Sequence, residues 1–254
     1  MANDPPAPAP EPPSRVVVAS YNIHGCVGSD GRLDPPRIAA VLRDIDADVV
    51  GLQEVGVHTM GGEIVDQLAY LAGSLGLTPV AGPTLERGAG SYGNALLTRL
   101  PIQGCRRIDL TVGRREPRGA IDVELGVKGH RLRVVATHLG LDWRERRKQR
   151  SLLIEELKDD EGPLVVLGDL NQWWPLGRRT IGPWPGFATL PCPGTYPSRL
   201  PLLVLDRILA RPAKSFDTIA VLRTRLASRA SDHLPVRATL ALRGIRPRQT
   251  VPGP

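Results

Sequence analysis

Five short apolar runs in this chain each carry, at or just beside one end, a side chain capable of chemistry. "RVVVASYN" closes on Asn22, "DVVGLQEV" carries Glu54, "VVATHLG" carries His138, "VVLGDLN" carries Asp169 and Asn171, and "ASDHLPV" brings Asp232 and His233. Apolar runs of this length, bounded by turn residues, read as buried strands. Ligand sites in α/β sheets lie outside strand ends, so converging ends would make an oxygen-rich cluster with two imidazoles. A sixth run, "RLPLLVLDRILA", is different, because Asp206 falls among Leu202, Leu203, Val204, Leu205, Ile208 and Leu209. An ionised carboxylate there costs several kcal/mol unless it is paired or hydrogen-bonded.

Between these runs the chain alternates strand-like and helix-like segments. Helices are expected over 33–45, where an Asp-Pro start precedes Ile38, Val41, Leu42 and Ile45, over 63–76, closed by Gly76, and over 143–159. Strands are expected over 15–22, 47–55, 92–99, 101–111, 118–127, 131–139, 163–171, 202–210, 215–222 and 234–242. Early βαβ-like units followed by consecutive strands imply α/β or α+β architecture, a mixed sheet system with helices outside. Residues 1–14 are Pro/Ala-rich and 243–254 are basic and Pro-containing; both are expected to be flexible tails flanking one domain at 15–242.

The net charge of +7 suits a polyanionic partner, but the basic residues are mostly scattered Arg, a pattern that a codon-biased genome also produces. Aromatic residues at 4% argue against a surface built to stack single-stranded bases. Cys26, Cys105 and Cys192 have no metal spacing and suggest a reducing compartment. With no signal-peptide layout and no apolar run of membrane-spanning length, a cytoplasmic protein is expected.

Glu54, Asp169 and Asp232 with Asn22 and Asn171 offer the oxygen ligands that Mg²⁺ or Mn²⁺ takes, whereas zinc would want more His and Cys. The matching reaction class is attack of water on phosphorus, with imidazolium donors stabilising the charge that develops. Singly, each residue has a plainer reading: an Asn or Asp-Leu-Asn at a strand end is turn chemistry, a Glu is a loop charge, and a His is a structural core residue.

Taken in order, "SYNIHG", "DADVVGLQEV", "YGNALLTRLPI", "VVATHLG", "VVLGDLN", "LDRIL" and "SDHLPV" resemble the motifs of the exonuclease–endonuclease–phosphatase superfamily of Mg²⁺-dependent phosphoesterases. The resemblance spans residues 15–242 and implies a four-layer sandwich, two mixed β-sheets packed face to face with helices outside. It implies Glu54 as the principal metal ligand, with Asn22 and Asp232 beside it. Asp169 and Asn171 would orient or activate the attacking water and hold the scissile phosphate. His233 would be a general base or a charged phosphate partner, and Asp206 would hydrogen-bond it and fix its tautomer. His138 matches the second histidine of the deoxyribonuclease-like branch, and Glu116 of "REP" would be the acid that pairs with it. His24, Asn94 and Arg118 are assigned to substrate contact, His24 alternatively to a hydrogen-bonded rim.

Arg146 and Gln149 are expected to be structural, and Arg144, Arg147 and Arg150 to form a solvated helix face or, alternatively, a phosphate-backbone contact. The substrate implied is a phosphodiester, nucleic acid ahead of phospholipid or phosphoinositide. No stable protein partner is implied, and a monomer is expected. The segment "NQWWPLGRRTIGPWPG" is the nearest candidate for a membrane-docking loop, although its Trp residues could instead cover the core or pack on a nucleotide. A catalytically inactive binding module would have lost some of Glu54, Asp169, Asn171, Asp232 and His233, and all five are present.

Overall fold

Strands with apolar side chains on both faces must be covered on both faces, and this chain covers them by stacking two sheets. The computed structural model describes residues 14–60, 63–87, 90–173 and 184–242. Its first strands are β1 (Ser14–Asn22), β2 (Val49–Met60), β3 (Glu63–Asp66), β4 (Thr78–Arg87), β5 (Gly90–Thr98) and β6 (Ile102–Asp109). They are followed by β7 (Gly119–Val127), β8 (His130–His138), β9 (Leu164–Asp169), β10 (Asp206–Arg211), β11 (Phe216–Val221) and β12 (Val236–Leu242). The helices are α1 (Pro35–Ile45), α2 (Gln67–Leu75), α3 (Trp143–Leu157) and α4 (Arg225–Ala230).

One sheet has the order β11-β12-β1-β2-β5-β4, with β3 paired to β2, and the other has the order β10-β9-β8-β7-β6. Each is mixed through one parallel pair, β1 with β2 and β8 with β9. Val16, Val18, Val49 and Leu96 of the first sheet meet Val123, Leu125, Val134, Leu167 and Ile208 of the second in the central layer. On the outside, α1 and α2 lay Ile38, Val41, Leu42 and Leu71 over Tyr21 and Leu52, while α3 lays Leu153 and Leu157 over Val135 and Val166. These are the four layers of the expected sandwich. The sheets approach closely enough at β2 and β9 that a Cβ on Gly51 would fall 2.1 Å from Leu167 Cδ1.

Helix starts follow local chemistry. Asp34, Asp66 and Asp142 cap α1, α2 and α3 by accepting from the N–H groups of Arg37, Ala69 and Arg144 respectively. The expected helix over 63–76 begins later, because Glu63–Asp66 pairs with β2 as β3. β4 was not expected, since Pro79 and Pro83 interrupt it; it lies at the sheet edge, where a missing N–H is tolerated. The expected strand over 202–210 begins only at Asp206. Upstream, Leu203 is bound back to Tyr196, which leaves Leu202 71% exposed rather than buried. Both expected tails, 1–14 almost entirely and 243–254 wholly, lie outside the described residues. No helix among the described residues is long and apolar enough to cross a membrane.

Candidate active site

The pleat decides which strand-end residues meet. Val16 and Val18 of β1 point into the central layer, so Asn22 leaves the strand on the same face. By the same alternation His138 follows Val134 and Ala136, Asp169 follows Val165 and Leu167, and Asp206 precedes Ile208 and Ala210. Four strands from both sheets thus project polar side chains between the sheets at one edge. All four are buried, with Asn22 and Asp206 at 0% exposure.

Glu54 reaches this edge by a different route. Leu52 faces the outer helices, and strict alternation would turn Glu54 outward with it. A bulge between Leu52 and Val55 intervenes, with Glu54 at φ 59°. Its carboxylate then accepts from Asn22 Nδ2 at 2.9 Å, and Asp169 Oδ2 accepts from the same amide at 3.2 Å. Asn22 Oδ1 meanwhile accepts the His24 N–H at 3.1 Å. Asn22 therefore aligns two carboxylates through its NH₂ group and turns its oxygen away from them. Asp169 Oδ1 accepts the Asn171 N–H at 2.9 Å, in a turn where Asn171 takes φ 50°.

The two histidines are held in opposite ways. His233 Nδ1 lies 2.8 Å from Asp206 Oδ2, the pairing expected from the sequence, and its Nε2 lies 3.7 Å from Asp169 Oδ2. Burial by itself would lower its pKa. The negative charges of Asp206, Asp169 and Asp232 outweigh burial and push it up to about 10, so the ring is an imidazolium whose Nδ1–H donates to Asp206 Oδ2, with Nε2 beyond hydrogen-bond distance of Asp169. His138 has its Nε2 3.1 Å from Asn171 Nδ2 and 3.5 Å from Asp169 Oδ2. Because Asn171 Nδ2 also donates to the Leu139 carbonyl at 2.9 Å, it is the amino group, and His138 Nε2 accepts. Burial lowers the His138 pKa to about 4, against the pull of Asp169, and the ring is neutral.

Asp206 Oδ1 is buried without a hydrogen-bond partner, so the anomalous carboxylate is only half satisfied by His233. Asp169, Asp206 and His233 bring ligand atoms within 4.8 Å of one another. That trio is already consumed by the Asp206–His233 hydrogen bond, and the carboxylates grouped around Asn22 are the better cation donors. Asp232 stands at the rim with its side chain 35% exposed. The Ser231 hydroxyl is 2.8 Å from the Asn22 carbonyl, which it bonds, and 3.3 Å from Asp232 Oδ1.

The expected Glu116–His138 pair does not form. Glu116 is half exposed and accepts from Arg118 Nη2 at 3.2 Å, because the turn before β7 points it away from the sheet interior. Arg118 is buried beside His138, whose protonated form its charge disfavours, and its Nε lacks a partner. Asn94 is buried and bridges the sheets by donating to the Gly119 carbonyl at 2.9 Å. His24 is 45% exposed, its Nδ1 3.1 Å from the Val27 carbonyl and 3.9 Å from Asp232 Oδ1. Arg146 and Gln149 hold the turn after His138, Arg146 at the Gly140 and Leu141 carbonyls and Gln149 at the Gly140 N–H. Of the tryptophan-rich segment 171–186, residues 174–183 lie outside the described residues; Trp184 is buried against the outer face of the second sheet and Trp173 is 36% exposed.

Sequence reasoning missed Tyr196 and Tyr92. The Tyr196 ring lies 4.8 Å from His233 and is brought there by a loop with no local signature. Tyr92 is beside Glu54, where burial and that carboxylate's charge raise its pKa.

Residues 19–233 match the family described as Endonuclease/Exonuclease/phosphatase. The Escherichia coli K12 protein YbhP, itself uncharacterized, is 30% identical over 244 residues, covering 89% of this chain and 96% of that protein. An endonuclease/exonuclease/phosphatase from Beutenbergia cavernae superposes with TM-score 0.77 at 27% identity, over 91% of this chain and 72% of that one. Truncated Caenorhabditis elegans TDP2 superposes with TM-score 0.67 over 89% of this chain and 97% of that one; at 19% identity the likeness is one of fold.

Proposed function

The chain belongs to the endonuclease/exonuclease/phosphatase family, a family of phosphoesterases, and on that footing we propose that it hydrolyses phosphodiesters with a divalent cation, Mg²⁺ or Mn²⁺. The observation that carries this reading is the hydrogen-bonded convergence of Asn22, Glu54, Asp169 and Asn171 with two histidines of opposite protonation. Opposite shifts in neighbouring titratable groups are the signature of divided acid–base roles.

The donor set fits a hard cation, since the oxygens around Asn22 are carboxylates and no thiol stands among them. Glu54 would hold the ion, with Asp232 next to it through Ser231. When bound, the ion supplies positive charge that screens the phosphate oxygens.

Each protein group then has a task set by its protonation state. Asp169 Oδ2, held between the two imidazole edges, orients a water molecule and accepts its proton. The His233 imidazolium turns Nε2–H toward the phosphate as a charged donor, while Asp206 keeps Nδ1–H engaged. Of the two roles left open by the sequence, the charged phosphate partner is the one that a pKa of about 10 supports. Neutral His138 fixes the Asn171 amide by accepting from it. As the water oxygen bonds to phosphorus, the bond to the leaving oxygen breaks and that oxygen takes up a proton from solvent.

The net charge of +7 suits nucleic acid and an anionic lipid surface alike. Purified protein incubated with Mg²⁺, Mn²⁺ or EDTA against bis(p-nitrophenyl) phosphate, plasmid DNA, RNA and phospholipid vesicles tests the reading. Metal-dependent hydrolysis that His233→Ala abolishes is expected. Absence of hydrolysis of every substrate, with the variant indistinguishable from wild type, refutes it.

A further inference from the structure

Glutamine is mostly a surface residue, yet Gln67, the first residue of α2, is fully buried. Both ends of its amide are used, and each holds a different loop or bulge. Its Oε1 accepts the Gly56 N–H at 2.9 Å, and its Nε2 donates to the Gly25 carbonyl at 2.6 Å. Gly56 and Gly25 are themselves buried, so removing the amide would leave a backbone donor and a backbone acceptor unpaired away from water.

Each of these places governs a side chain of the carboxylate group. Gly56 lies two residues past Glu54, just beyond the bulge that turns that carboxylate to Asn22. Gly25 is the middle of a turn, His24–Cys26, whose residues all have positive φ, at 48°, 58° and 60°. In that turn the His24 N–H donates to Asn22 Oδ1, which leaves the Asn22 NH₂ group aimed at Glu54. The contacts close a ring: from Gln67 to Gly25, along the turn to His24, across to Asn22 and Glu54, and along β2 to Gly56 and Gln67 again. Glu54, His24 and Cys26 hold left-handed backbone without being glycine, a conformation that persists only where the surroundings impose it. Helix α2 can impose it, because Leu71 and Ala72 anchor it in the same core as Tyr21 and Leu52 of β1 and β2.

We propose that Gln67 is a positioning residue for the divalent cation: by tying the turn after Asn22 to the bulge at Glu54, it holds the Glu54 carboxylate where the ion binds. This role rests on the metal-dependent reading of the site and belongs to a residue that touches neither ion nor substrate. An amide that did no more than satisfy two backbone groups would affect stability alone. A brace also sets how tightly the ion is held, and that effect passes through Glu54. Coupling of this kind is reciprocal, so the bound ion steadies the brace in return and slows exchange of the Gly56 N–H.

Gln67→Met keeps the length of the side chain and removes both hydrogen bonds. In calorimetry well below its melting temperature, this variant of the full chain is expected to bind Mn²⁺ about tenfold more weakly than wild type. In a Glu54→Gln background the same change should make little further difference, because the two residues act on one ligand. Turnover of bis(p-nitrophenyl) phosphate by Gln67→Met should recover as Mn²⁺ is raised, with KM for the diester unchanged. Equal Mn²⁺ affinity in Gln67→Met and wild type, or an equal loss in both backgrounds, overturns the proposal. Should Gln67→Met not fold, hydrogen exchange of the wild type decides: the Gly56 N–H is expected to exchange more slowly in Mg²⁺ than in EDTA, and an unchanged rate overturns the proposal. Wild type that binds neither cation refutes the metal-dependent reading and the brace together, whereas wild type and variant that bind equally refute the brace alone.

Discussion

Replacing Asp206 by Asn removes one buried charge while keeping the side chain's shape. Asp206 is fully buried, with Oδ2 2.8 Å from His233 Nδ1 and Oδ1 unpartnered. Burial, the largest influence on His233, opposes protonation, and the attraction of Asp206 is foremost among the charges that overcome it. In Asp206→Asn the balance shifts to burial, and the ring is expected to be neutral at neutral pH. The new amide can also present either its oxygen or its NH₂ group to Nδ1, so the tautomer is no longer fixed. Losing a positioned, charged donor to the phosphate should lower kcat by about 10³-fold. Stability should change far less. Breaking a buried pair costs about 3–5 kcal/mol when the surviving charge is stranded, but His233 can shed its proton. What remains is the loss of a charge-assisted hydrogen bond, about 1.5–3 kcal/mol, partly offset by removing the orphaned carboxylate oxygen. Turnover of bis(p-nitrophenyl) phosphate, thermal melting by circular dichroism and imidazole ¹⁵N shifts would be measured together. Turnover within about threefold of wild type, against the loss expected here, or a His233 ring still protonated at about pH 8, would refute the reasoning.

Glu54→Gln keeps the hydrogen bond to Asn22 but not the charge, so Mn²⁺ affinity measured by calorimetry should fall by at least about tenfold; unchanged affinity would remove Glu54 from the metal site. Gly168→Ala should cost about 3 kcal/mol or more in urea unfolding, because at φ 151° its Cβ would fall 1.8 Å from the Thr137 carbonyl oxygen, splitting β8 from β9 beside His138 and Asp169. Asp160 lies 2.9 Å from Arg131 and 2.8 Å from Arg133; burial alone would raise its pKa, and these partners hold it down to about 2. A depressed carboxylate pKa stabilises the fold above the ordinary carboxylate range and stops doing so as pH falls through about 2. Asp160→Asn should therefore melt below wild type at neutral pH, and the gap should narrow between about pH 4 and pH 2; a gap independent of pH would contradict this.

How much of the site could be read beforehand depends on how local its cause is. Asp206 stood out because a charge among leucines needs a partner, and that requirement holds wherever the run folds. The pairing with His233 came from the family resemblance and is present in the structure. Glu116 shows the opposite case: its assignment to His138 rested on resemblance alone, and the turn before β7 gives it to Arg118. The preference for nucleic acid rested on charge and on two histidines, and both serve any anionic phosphodiester.

Apolar runs, capping aspartates and the chemistry at strand ends are properties of neighbouring residues, so the sequence by itself determined the class of fold, most of its elements and the kind of atoms at the site. Three features required the tertiary structure. The bulge that swings Glu54 from the helix side to Asn22 depends on how β2 registers against β5. The protonation of the two histidines depends on which carboxylates the second sheet brings beside them, since both rings are buried and differ only in their neighbours. The exposure of Leu200 and Leu202 depends on residues 195–203 folding back on themselves instead of extending β10. A run that reads as buried strand thereby becomes the most exposed apolar surface described, because backbone hydrogen bonds, and not hydrophobicity, decide where a strand begins.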